Sequence, residues 1–192
     1  IGTLQSKMKA TGPVAVANLS GIIVDDEQAK LTGLWQRSTS AKTYVGAGYQ
    51  HDMDRDKGEK TALFESPSPL TGKYEVRFSY TPGNNRTASL PVVVVHADGR
   101  TTITINQTQT PSLLGRFVSL GQFEFNDASP AQVIVSTLNT KAHVIIDAVQ
   151  FLPVDEVPQE TVAKIPEEKA TSQEQLAKLQ SQLKALKADA TE

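Results

Sequence analysis

Tyr74 to Tyr80 alternates without a break: Tyr74, Val76, Phe78 and Tyr80 fall on one side, and Glu75, Arg77 and Ser79 on the other. A period of two marks a strand with one face buried and one in water. Short segments of this kind recur from Ile22 to Pro153. Gly21 to Val24 is a short apolar strand, and Leu31 to Arg37 reads as a second that carries Trp35. Lys60 to Phe64 follows. Leu90 to Ala97 and Arg100 to Asn106 read as the arms of a hairpin with Asp98-Gly99 at its tip, a pair that supplies positive φ. Phe117 to Phe125, Gln132 to Ser136 and Val144 to Leu152 complete the series. Many short strands separated by turn signals predict an all-β, jelly-roll-like sandwich.

The chain has 192 residues and a formal net charge of −2, with no basic stripe. The electrostatic footprint of a nucleic-acid binder is therefore missing. The absence of cysteine removes thiol catalysis, Cys-ligated zinc and disulfides. No apolar run approaches the ~20 residues of a membrane span. The first residue is Ile1 and no signal peptide follows it, so the chain is expected to be a piece of a larger protein.

Outside the strand series the pattern changes. Residues 1–20 read as a linker or the tail of a preceding domain, with Gly12-Pro13 as a breaker. Residues 21–153 form the domain. Residues 154–170 are rich in Pro and Glu and read as a linker. Residues 171–190 predict an amphipathic helix, with Leu176, Leu179, Leu183 and Leu186 in a heptad-like seam and Ser172 and Gln175 as a capping box. A helix this short is marginal alone, so it is expected to dock on a copy of itself or on another domain.

The order "IIVDDEQAKLTGLWQRSTS", "YVGAGYQHD", "GKYEVRFSYTPGNNRTASLPVVVVHADG", "TITINQTQ", "LGQFEF" and "HVIIDAVQFLP" resembles the golvesin C-terminal-like domain, a module associated with bacterial xanthan lyases and other large secreted proteins. The final strand is also similar to the closing strand of galactose-binding-like carbohydrate modules. Where such domains usually carry Ala-Thr-Asn after the Asn-Arg pair, this chain has Thr87-Ala88-Ser89. The resemblance implies a β-sandwich accessory domain of an extracellular or periplasmic bacterial protein.

Two groups of residues have the chemistry of a binding site. Trp35, Tyr44 and Tyr49 could stack on sugar rings, with Gly46 and Gly48 allowing close backbone approach, or could equally pack the core. Arg86 with Asn85 and His96 could clamp an acidic sugar, or Arg86 could pair with Asp147 in the closing strand. Asp52, Asp54 and Asp56 begin like a calcium loop, but Gly58 comes one place late and Leu63 replaces the closing Glu, so a solvated charged turn is expected. Asp25-Asp26 is a further, weaker carboxylate pair for structural calcium. No other metal or cofactor is expected. The three histidines, His51, His96 and His143, have no zinc spacing, and no G-x-S-x-G elbow is present.

The expected function is a non-catalytic carbohydrate-binding module holding a larger secreted bacterial protein on polysaccharide or envelope glycan. The alternative is a structural spacer or docking domain assembled through the C-terminal helix. An enzyme is not expected, because no nucleophile–base pair or metal set emerges.

Overall fold

A computed structural model of the chain describes residues 12–154. The linker at 155–170 and the helix expected over 171–190 lie outside the described residues, as do residues 1–11.

Among the described residues, twelve strands make three antiparallel sheets. Four of them, β1 (Ile22–Asp25), β6 (Gly72–Ser79), β9 (Phe117–Phe125) and β12 (Ala148–Pro153), form one sheet in the order β1-β12-β6-β9. The facing sheet runs β2-β5-β10-β7-β8, from β2 (Lys30–Thr32), β5 (Thr61–Pro69), β7 (Leu90–His96), β8 (Gly99–Ile105) and β10 (Pro130–Ser136). A small sheet of β3 (Gln36–Ser38), β4 (Tyr49–His51) and β11 (Ile145–Ile146), ordered β11-β4-β3, closes one end.

The period-two segments supply the layer between the two large sheets. Val76 and Phe78 of β6, Ala62 and Phe64 of β5, Val92 and Val94 of β7, and Val133 and Val135 of β10 are all fully buried. Phe64 and Phe78 meet edge to face across the layer, with ring centroids 6.4 Å apart. Each such ring contributes on the order of 2–3 kcal/mol by leaving water.

Three local readings change. The hairpin pairs His96 with Gly99, so its tip is Ala97-Asp98, and of the Asp-Gly pair Gly99 alone takes a positive φ. The segment Leu31 to Arg37 is two strands rather than one, since Gly33, at φ +77°, turns the chain between β2 and β3. The closing segment also divides. Val144 to Leu152 reads as one strand, yet β11 pairs with β4 in the small sheet and β12 with β1 and β6 in the large one. The one residue between them is Asp147, and it marks the switch between sheets.

Residues 12–20, part of the segment expected as a linker or the tail of a preceding domain, pack against the sandwich. Val14 makes a parallel bridge with Val45. Val14, Val16 and Leu19 lie on a second apolar cluster of Val45, Phe117 and Ala148. The Gln150 amide donates to the Ser20 carbonyl at 2.8 Å, and the Arg116 guanidinium to that of Gly12 at 2.8 Å. This strap explains why Ala148 to Leu152 is buried at every position: β12 is covered on both faces. Deleting residues 1–20 is expected to cost roughly 2–4 kcal/mol of stability, the burial of three half-covered aliphatic side chains and their floor. Urea denaturation of the two chain lengths measures it.

Candidate functional site

Trp35, Tyr44 and Tyr49 do not form an open platform. They are 8%, 9% and 2% exposed and belong to the main core. The Trp35 indole N–H donates to the Thr32 carbonyl at 3.1 Å, so its polar edge is satisfied from within. The two tyrosine rings are tilted against each other at 6.4 Å, and the Ala41 N–H donates to the Tyr49 hydroxyl at 3.4 Å. Gly46 and Gly48 serve the fold rather than a ligand's approach. A side chain at Gly48 would meet Arg37 and the Ser38 carbonyl at 3.0 Å, and one at Gly46 would run into the Asp25 carboxylate.

Arg86 and His96 are also separated. Arg86 precedes β7 and His96 is its last residue, so the length of the strand, about 20 Å at ~3.3 Å per residue, lies between them. His96 packs on Phe123 with ring centroids 5.0 Å apart and hydrogen-bonds the Thr101 hydroxyl at 2.9 Å. It lines a shallow cleft of about 220 Å³ with Val95, Phe125 and Pro130.

What Arg86 does join is a pair of histidines. Arg86 and His143 form a parallel bridge: the Thr87 N–H donates to the His143 carbonyl at 2.9 Å, and the His143 N–H to the Asn85 carbonyl at 3.2 Å. One residue beyond Val144, Ile145 pairs with His51. The rings of His51 and His143 therefore meet edge to face, with centroids 5.8 Å apart. Arg86, His143 and His51 are half-buried, and Asn85 is exposed. The loops that carry them are fixed from below by Gln107. Its carboxamide is buried, accepts from the Ile145 N–H at 2.9 Å and donates to the Ile145 carbonyl at 2.6 Å.

Arg86 supplies the fixed positive charge of this patch. Burial holds the His51 imidazole below its ordinary value, and the charges of His143, Arg86 and Lys60 add to that against the opposing pull of Asp52. One Arg86 nitrogen donates to the Asn85 side chain at 3.0 Å. Arg86 Nε and His143 Nδ1 are buried without a hydrogen-bond partner. Sequence reasoning singled out Arg86 but not the two histidines, because no local spacing links 51, 86 and 143. They converge only through the pairing of β4 with β11.

Asp52 stands behind this patch. It is fully buried rather than solvated as the sequence suggested. Its carboxylate accepts from the N–H groups of Val144 at 2.9 Å and Asp54 at 3.0 Å, and from Lys57 Nζ at 2.5 Å. Lys60, also fully buried, donates through Nζ to the Asp52 carbonyl at 2.6 Å and lies 3.4 Å from Asp56. Two ammonium groups thus stand where a calcium-loop reading would put the ion. Met53, Asp54 and Asp56 take positive φ, which curls the turn around them.

Asp147 does not pair with Arg86. Both its oxygens accept from the Val45 N–H at 3.1 Å, and one accepts from the Ser79 hydroxyl at 2.5 Å. Asp25 and Asp26 lie beside it.

The Golvesin C-terminal domain model matches residues 22–153. The xanthan lyase of Bacillus sp. (strain GL1) is 30% identical over 152 residues, which cover 75% of this chain and 16% of that protein. The solved Paenibacillus xanthan lyase superposes with a TM-score of 0.64 at 30% identity, over 69% of this chain and 13% of that one. The Podospora anserina GH26-CBM35 β-(1,4)-mannanase superposes with a TM-score of 0.51 at 20% identity, over 69% of this chain and 27% of that one, a likeness of fold alone. The chain thus spans a small part of each relative. No helix among the described residues is long and apolar enough to cross a membrane.

Proposed function

The chain belongs to the Golvesin C-terminal domain family, and from that premise we propose that it is a non-catalytic carbohydrate-binding module of a larger secreted bacterial protein, holding an acidic polysaccharide at the Arg86–His143–His51 patch. The observation that carries this reading is the patch itself: three cationic or protonatable side chains, half-exposed, at the end of β4 and on segments held by the buried Gln107 amide. A guanidinium clamps a sugar carboxylate through paired N–H donors, and imidazoles add donors to hydroxyls. The name of the relative, xanthan lyase, supports a polysaccharide as the ligand class. The patch binds rather than reacts. Asp52, the carboxylate nearest His143 at 4.0 Å, is already held by Lys57 and two backbone N–H groups and is not a free base.

Affinity electrophoresis through gels carrying xanthan, a second acidic polysaccharide or a neutral one tests this. Retardation by the acidic gels is expected. Arg86→Ala should weaken it by about 10- to 100-fold, the loss of charge-assisted hydrogen bonds worth about 1.5–3 kcal/mol. No retardation in any gel, or equal retardation of a folded Arg86→Ala chain, overturns the proposal.

The pH dependence has a definite sign. His51 is held below the ordinary imidazole value and is neutral at pH 7. Charging it on acidification adds positive charge to the patch, so retardation should increase as pH falls through and below the ordinary imidazole range. The same shift lowers folding stability over that range, because the unfolded imidazole takes up its proton first. Electrophoresis at two pH values, with circular dichroism to confirm folding, separates the two effects.

A further inference from the structure

Asp25 ends β1, Asp26 follows it, and Asp147 sits at the switch between β11 and β12. The three are 6%, 1% and 0% exposed, and one carboxylate oxygen from each lies within 4.8 Å of the others. Burying three carboxylates together is expensive unless something positive or protic joins them. Asp147 has protein donors, the Val45 N–H and the Ser79 hydroxyl, and the Asp26 N–H favours the charged form of Asp25. Both oxygens of Asp26 and Oδ1 of Asp25 are buried with no hydrogen-bond partner. Gln50 approaches Asp26 closely enough to favour its charged form, but without making a bond of ordinary geometry. Among the described residues no Lys, Arg or His nitrogen comes within ion-pair distance of the three. Arg37 is paired with Glu27 at 2.6 Å, and Arg116 donates to the backbone carbonyls of Tyr44 and Gly12.

We infer that Asp25, Asp26 and Asp147 form a structural divalent-cation site that takes calcium. The donors are hard carboxylate oxygens from two segments distant in sequence, with no nitrogen or sulfur among them, and that set suits calcium over transition metals. Asp26 is the strongest single sign, since a fully enclosed carboxylate with two idle oxygens points into the group. The backbone around the site is shaped for close approach. Gly46 holds φ +65°, and a Cβ there would run into Asp25 Oδ2. A cation here would tie the end of β1 to the β11–β12 switch and, through the Val45 N–H on Asp147, to the loop bearing Tyr44. It would staple the sandwich rather than contact a sugar, so the site is independent of the glycan-binding patch.

The test uses the full chain, stripped with EGTA and returned to calcium or magnesium. One calcium per chain by equilibrium dialysis, and a melting temperature that rises with calcium up to about 10 mM, are expected, since extracellular calcium modules bind in the millimolar range or tighter. Magnesium should give a smaller rise. Asp26→Asn removes a ligand with no protein partner, so it should fold and bind calcium on the order of tenfold or more weakly. If Asp26→Asn does not fold, terbium luminescence sensitised by the tyrosines of the wild-type chain, reversed by calcium, reads the same site. A melting temperature indifferent to calcium and EGTA, with no ion retained on dialysis, overturns the inference. So does undiminished calcium binding by folded Asp26→Asn.

Discussion

Trp35→Ala is expected to lower the unfolding free energy by about 3–5 kcal/mol while leaving polysaccharide retention of the folded fraction unchanged. The large cost follows from position. Trp35 is 8% exposed, belongs to the main core and has its indole N–H bonded to the Thr32 carbonyl. Its removal leaves a cavity the size of an indole and an unpaired carbonyl between β2 and β3. A stacking residue on a binding surface would behave in the opposite way, losing retention with little change in stability. Urea denaturation and affinity electrophoresis on the same variant decide between the two. A Trp35→Ala chain of wild-type stability that no longer binds would return this residue to the ligand site.

Lys60→Ala should cost a similar amount, about 3–5 kcal/mol, for a different reason. Its side chain is 1% exposed, a rare condition for a lysine. Nζ donates to the Asp52 carbonyl, and the aliphatic stem lies under Gly33, where a Cβ would come within 2.7 Å of Lys60 Cγ. Alanine therefore removes both a charge-bearing donor and a packed stem. Lys60→Met keeps the stem and loses only the donor, so it should recover roughly half the loss. Chemical denaturation of the pair measures the split. Equal stability of the alanine and methionine variants would assign the whole effect to the ammonium group.

The sequence reveals the strands and conceals the sites, for one physical reason. Alternation is local: Val76 and Phe78, or Val92 and Val94, declare their buried face within a few residues. The sheet to which a strand belongs is not local. Nothing between Val144 and Leu152 signals that Asp147 divides two sheets, since the run is apolar on both sides of it. The strap at residues 12–20 was equally hidden, because three spaced aliphatic residues beside Gly12-Pro13 look like a linker until Ala148 and Phe117 are brought beneath them. Trp35, Tyr44 and Tyr49 are the residue types that both a sugar platform and a core would use, and only burial separates the two. Arg86 stood out through its neighbours in sequence. His51 and His143 became its partners only through strand pairing. Asp25-Asp26 was visible as an acidic pair, but its third member lies at the far end of the domain's sequence.

β1 and β12 run side by side in opposite directions, with Ile22 opposite Phe151. The polypeptide therefore enters the sandwich and leaves it at one place, with strand partners only about 5 Å apart. A domain whose first and last strands are neighbours can be set into a longer protein as a cassette, with the strap at residues 12–20 travelling as part of it. Lengthening the connection before the strap or after Pro153 would change the reach of a neighbouring module without disturbing the sandwich.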